Sequence, residues 1–133
     1  MEKTEKRKTS LSAGLIIRKA LLESADVTAH TRKIFPVVID KAELPYILYR
    51  RAALEHNPTK AGFPGADTVQ MEVNVYTAAY TEGIEIAEAV RRALDCSRAE
   101  IPGLVMRGCI LCDSAEGWED DACVQSLIFS VRI

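Results

Sequence analysis

The chain has 133 residues, 48% of them apolar and 27% charged, with a formal net charge of −2. That length holds one domain, and its folding buries about two-thirds of the unfolded surface, so neither disulfides nor a metal is required for stability. The near-neutral charge offers no field for nucleic acid or an anionic membrane, and no apolar run approaches the ~20 residues of a membrane span.

Met1–Thr9 mixes Lys, Arg, Glu and Thr and reads as a flexible arm, either a solvated tail or a partner-binding one, ahead of a single domain over residues 10–133. Ser12, Gly14, Arg18 and Lys19 interrupt Leu11–Leu22, which therefore suits a core helix better than a secretory signal. Folding in a cytoplasm, with four reduced cysteines, is the expectation. Ser10 or Ser12 can cap that helix, which runs to about Ser24 and buries Leu15, Ile16, Ala20 and Leu22. Asp26–Thr31 is a polar connection with room for one helical turn.

Lys33–Ile39 reads as a strand that Pro36 confines to a sheet edge or breaks, because proline cannot donate to a ladder. Pro45 then introduces a Tyr-rich strand, Tyr46–Leu54. Glu55–Asp67 is a long loop broken by Asn57-Pro58, Gly62, Pro64 and Gly65, with Phe63 either tucked beneath it or offered to a partner. Thr68–Tyr76 alternates: Val69, Met71, Val73 and Val75 face one way, and Gln70, Glu72, Asn74 and Tyr76 the other. A strand with one buried face follows. After Thr77–Tyr80 the period becomes helical. Ile84, Ala87, Val90 and Leu94 form the expected buried face, flanked by Ile86 and Ala93, with Thr81 as N-cap and Arg91 and Arg92 favourably placed at the negative end of the dipole. Ser97–Gly103 is read as a loop, Leu104–Cys112 as a strand, Asp113–Asp121 as an acidic turn around Trp118, and Ala122–Ile133 as a final strand. The fold class is α+β, a mainly antiparallel sheet of four to five strands with two main helices on one face.

Chemistry is scarce. Cys109 and Cys112 form a CxxC string, with Cys96 and Cys123 as further candidate zinc ligands. Residues three apart on a regular strand point to opposite faces about 10 Å apart, too far for a shared ion. The string reads as structural cysteine. His30 and His56 lie in no catalytic signature, no phosphate-binding glycine loop is present, and the acidic cluster at Glu116, Glu119, Asp120 and Asp121 lacks the spacing of a calcium loop. No catalytic, cofactor or metal residue is assigned, and a non-enzymatic role is expected. A small sheet with helices on one face leaves its other face and edges to be managed, and the polar, weakly charged Gln70, Glu72, Asn74, Tyr76, Ser126 and Ser130 suit subunit contacts.

The succession Ile34-Phe35-Pro36, then Leu44-Pro45-Tyr46-Ile47-Leu48-Tyr49, followed by the alternating strand, the Glu/Ala/Arg helix and the Phe/Val-rich Leu127–Ile133, resembles the small tail-completion proteins of long-tailed bacteriophages and prophages. The likeness covers roughly Leu11 to Ile133. It implies a tail-terminator or head–tail joining subunit that forms a closed homo-oligomeric ring, commonly a hexamer, capping the tail tube and meeting the head connector. The subunit would assemble in the host cytoplasm and reside in the virion, without cofactors. The candidate subunit contacts are His56, Asn57 and Phe63 in the loop, and Glu72 and Asn74 on the sheet face. Two other readings stand beside it. One is a binding module with an aromatic pocket of Tyr46, Tyr49 and Tyr76; the other is a zinc-stabilised domain using the four cysteines.

Overall fold

A computed structural model describes residues 8–37, 42–56 and 67–133. The elements are α1 (Ala13–Glu23), α2 (Ala25–Thr28), β1 (Ile34–Pro36), β2 (Tyr46–Glu55), β3 (Thr68–Thr77), α3 (Tyr80–Leu94), β4 (Ala99–Ile101), β5 (Leu104–Met106), β6 (Gly108–Glu119) and β7 (Ala122–Arg132). Five strands form one sheet in the order β1-β2-β3-β7-β6, and β4 and β5 form a separate two-stranded hairpin. Only β1 runs parallel to its neighbour, and Pro36 ends it at the sheet edge. The mainly antiparallel α+β class is as expected.

The centre is β3. Its alternating Val69, Met71, Val73 and Val75 are fully buried, opposite Val131, Phe129 and Leu127 of β7 on one side and Tyr49 and Ile47 of β2 on the other. The helices pack on that face, and one core cluster joins them to the sheet. From α1 it takes Ala13, Ile16, Ile17 and Leu21, the i, i+3, i+4 spacing of a single helical stripe. Leu15, expected inside, is half exposed. A 3-10 turn, Ser10–Ser12, leads into α1 and is capped by Thr9, whose hydroxyl accepts from the Leu11 N–H at 3.3 Å. Ser12 stands at the N-cap of α1, one of the two serines expected there, but makes no side-chain capping bond, and Ser10 is buried and donates to Asp67.

For α3 the stripe is rotated from the expected one. Gly83, Ile86, Ala89, Val90 and Leu94 are buried, whereas Ile84 is 38% exposed. The cause is close approach at Gly83, where a Cβ would stand 2.9 Å from the Thr77 Oγ1 and 3.5 Å from the Gln125 Cγ. The helix settles on its glycine because only there can the backbone come so near β3 and β7. Thr81 lies inside the helix rather than at its N-cap, which is Ala79 and has no side-chain bond.

Two loop expectations are corrected. The stretch Ser97–Gly103 contains β4 and the turn of the small hairpin, with Gly103 at φ 87°. The acidic stretch Asp113–Asp121 is mostly strand: β6 pairs with β7 out to Glu119↔Ala122, leaving only Asp120 and Asp121 as the turn, at φ 51° and 60°. A register shift between Leu111 and Asp113 marks a bulge at Cys112. Cross-strand pairing with a strongly β-forming β7 overrides the polar composition of β6.

Candidate functional site

The helix-free face of the sheet carries Glu72 and Asn74 of the residues singled out from sequence. Arg50 donates to Glu72 Oε2 at 2.8 Å, and the Asn74 side-chain amide donates to Glu72 Oε1 at 3.0 Å. The Asn74 Oδ1 is buried without a hydrogen-bond partner. His56, just beyond β2, holds its Nδ1 at 2.7 Å from Asp67 Oδ1, and the other oxygen of Asp67 accepts from Ser10 at 2.5 Å. His56 and Asp67 thereby tie together the two ends of the segment between β2 and β3. Asn57 and Phe63 lie outside the described residues. His56 is six residues from Arg50, the partner of Glu72, which is about 20 Å along a strand. Among the described candidates, His56 therefore stands apart from Glu72 and Asn74.

The aromatic pocket is also divided. Tyr46 and Tyr76 stack with ring centroids 4.8 Å apart on the helix-free face, beside the buried Leu48, Ala122 and Val124. Tyr49 points into the main core on the other face. Burial first, and then the charges of Glu119 and Asp120, hold both stacked phenols above their usual range. The cysteines are likewise scattered. Cys109 pairs with Val131 near one end of the β6/β7 ladder and Cys123 with Trp118 near the other, so a four-cysteine site is not formed. Burial pushes the Cys109 thiol up to about 12, which leaves it unreactive. Among the described residues, no group of three or more His, Cys, Asp or Glu side chains is poised to hold a metal.

Sequence reasoning missed two exposed features. The first is the end of the β6/β7 hairpin. There Trp118 is 65% exposed and is followed by Glu119, Asp120 and Asp121, none of which makes an ion pair with the described residues. The shaft behind it is braced: the Tyr80 hydroxyl donates to Glu116 at 2.8 Å and the Gln125 amide does so at 2.9 Å, which lowers the Glu116 carboxyl below its usual range. The second is an open cleft of about 610 Å³ on the β4/β5 hairpin, lined by Arg98, Ala99, Glu100, Val105, Met106 and Arg107. Val105 is 52% exposed within it. A smaller cleft of about 310 Å³ lies between α1 and the end of β1, lined in part by the exposed Leu11, Leu15 and Val37. In sequence the single signals were Trp118 amid acids and Val105 near two arginines; neither shows its exposure without the fold.

Both features are exposed surface of the described residues. A chain from a structure titled "Virion of native gene transfer agent (GTA) particle" shares the fold, with a TM-score of 0.79 at 16% identity over 93% of this chain and 98% of that one. No curated protein sequence matches. The model of the family described as "Tail completion protein gp17" matches residues 16–133. On that match, which takes in every strand and α3, the chain belongs to the tail completion protein gp17 family and is a structural protein of phage tails.

Proposed function

We propose that this protein completes the tail as a closed homo-oligomeric ring, a hexamer, that caps the tail tube and presents a surface to the head connector. The observation that carries the reading is a well-packed core surrounded by unusually exposed apolar side chains. Trp118, Ile110, Val105, Leu11, Leu15 and Val37 all stand more than half exposed or at that limit, as expected of surfaces that other proteins cover. The family membership and the virion origin of the structural relative support an assembly role. Ring closure requires heterologous contacts between two different patches of each copy, and the molecule has more than one such patch. His56, Asn57, Phe63, Glu72 and Asn74 are proposed as further subunit contacts. No catalytic step is part of this reading.

Light scattering after size exclusion, followed by negative-stain imaging, tests the ring. A single species of about six subunits with a central hole is expected. A monomer at every concentration, with no ring even when purified tail tubes are added, refutes it. Phe63→Ser is expected to weaken assembly while leaving the thermal midpoint unchanged, and unaltered assembly removes the loop from the contact set.

A further inference from the structure

We infer that the Trp118 hairpin tip of one copy docks into the Arg98–Arg107 cleft of the next copy, an inference that rests on the ring reading above. The tip presents an exposed indole with three carboxylates, Glu119, Asp120 and Asp121, at the end of β6. The cleft is lined by Ala99, Val105 and Met106 between two arginines; Val105 is its exposed apolar side chain, Met106 is buried, and Glu100, paired with Val105, is its one acid. Arg98 has no ion-pair partner among the described residues, and there the Arg107 side chain bonds only the backbone oxygen of Ile133, at 3.0 Å. Shape and charge are complementary: an acidic aromatic knob and a basic-edged apolar recess.

Geometry makes the contact intermolecular. Gly108 pairs with Arg132 at one end of the β6/β7 ladder, and Glu119 pairs with Ala122 at the other. The Arg107 N–H bonds the Arg132 carbonyl at 2.8 Å, and Met106 pairs with Ala99, so the cleft sits at the first end. Eleven residue steps of strand separate it from the tip, about 35 Å. One chain cannot satisfy both surfaces itself; successive copies can, head to tail. The smaller cleft is a poorer host for the acids, because one of its two arginines, Arg50, is already paired with Glu72. The basic arm Met1–Thr9 is a poorer guest, since it has no aromatic residue and carries the same sign of charge as the arginines.

The test is a directed cross-link in full-length protein. Cys96, Cys112 and Cys123 are first changed to Ser; Cys123 must go because it lies opposite Trp118. Glu119→Cys, which keeps the indole, and Glu100→Cys, which keeps Val105, are then placed on separate copies, mixed and oxidised. A disulfide-linked dimer from the mixture is expected, with a ladder when both changes share one chain; the ~35 Å separation forbids closure within a chain. Trp118→Ala, at an exposed position, is expected to keep its circular dichroism melt and to weaken self-association at least tenfold. A ring that forms without the cross-link overturns this contact and leaves the ring reading standing. A tip-to-tip dimer from Glu119→Cys alone, at equal yield, overturns the head-to-tail geometry. A ladder without closed rings keeps the contact and sinks the ring, and a monomer with no cross-link sinks both.

Discussion

At the scale of single residues, two positions decide how α3 is held. Gly83 is the closest approach between helix and sheet, with Thr77 Oγ1 2.9 Å from where a Cβ would stand. Thr77 is fully buried, and its hydroxyl donates to the Ala79 carbonyl at 2.7 Å, so it cannot swing aside freely. A helix-interior Gly→Ala change ordinarily gains about 1 kcal/mol, but overpacking a tight contact costs about 1–3 kcal/mol. Gly83→Ala is therefore expected to destabilise, by up to about 2 kcal/mol, read as a thermal midpoint lowered by up to about 8 °C. A raised midpoint would contradict the packing described at this helix. At the other end, Asp95 accepts the Leu111 N–H at 2.9 Å and Arg91 Nε at 3.4 Å. The backbone bond, more than the arginine, holds its carboxyl below the ordinary 3.8. A lowered folded-state value means stability that is complete above 3.8 and lost as pH falls through the lower one. Asp95→Asn should thus be less stable than the parent at pH 6, and the two urea midpoints should converge below pH 3.8. Parallel curves across pH 6 to 2.5 would show that the carboxylate contributes nothing by its charge.

At the scale of elements, the sequence was legible where periodicity was strict and illegible where pairing overrode composition. The alternation of Val69 to Val75 identified β3 and its buried face because a two-residue period has one physical solution. The helical stripe of α3 was placed one step off, since hydrophobicity ranks Ile84 above Gly83 while close packing ranks them the other way. The outer half of β6 was hidden: DSAEGWEDD has few strand-forming residues, and only the ladder with β7 extends it. The contact candidates suffered similarly. Glu72 and Asn74 lie part-buried on the helix-free face, and Glu72 is occupied by Arg50, while the exposure of Trp118 and Val105 depends on where two hairpins end. The hairpin turn carries its own prediction. Asp120 and Asp121 both adopt left-handed backbone, where Asn-Gly is the favoured pair. Replacing them by Asn-Gly should raise the unfolding free energy by roughly 0.5–1 kcal/mol, measured by urea titration. A loss of stability on that change would mean that the aspartates serve the fold. A gain fits the view that they are kept for charge at the tip, at a small cost to folding.

At the scale of the whole molecule, the charge is arranged along the long hairpin more tellingly than its total suggests. A net −2 looks featureless, but acids gather at the Trp118 end while Arg98, Arg107 and Arg132 gather about 35 Å away at the other. A head-to-tail array sets opposite signs against each other at every joint, and such solvent-edge charges act over a distance set by salt. The screening length falls from about 10 Å at 0.1 M to about 3 Å at 1 M. Exposed pairs are each worth only about 0.2–1 kcal/mol, so two or three of them at a joint should shift the association midpoint by about two- to a hundredfold across that range. The indole contact opposes this shift, because burial of apolar surface does not weaken with added sodium chloride as charge pairing does. Sedimentation or light scattering at 0.1 and 1 M salt should therefore show weaker assembly at high salt. With Glu119→Gln, Asp120→Asn and Asp121→Asn together, assembly should be weak at both and nearly independent of salt. If the triple variant kept the parent's salt dependence, the electrostatic part of the joint would lie elsewhere on the molecule, and the exposed patch around Leu11, Leu15 and Val37 would be the next surface to mutate.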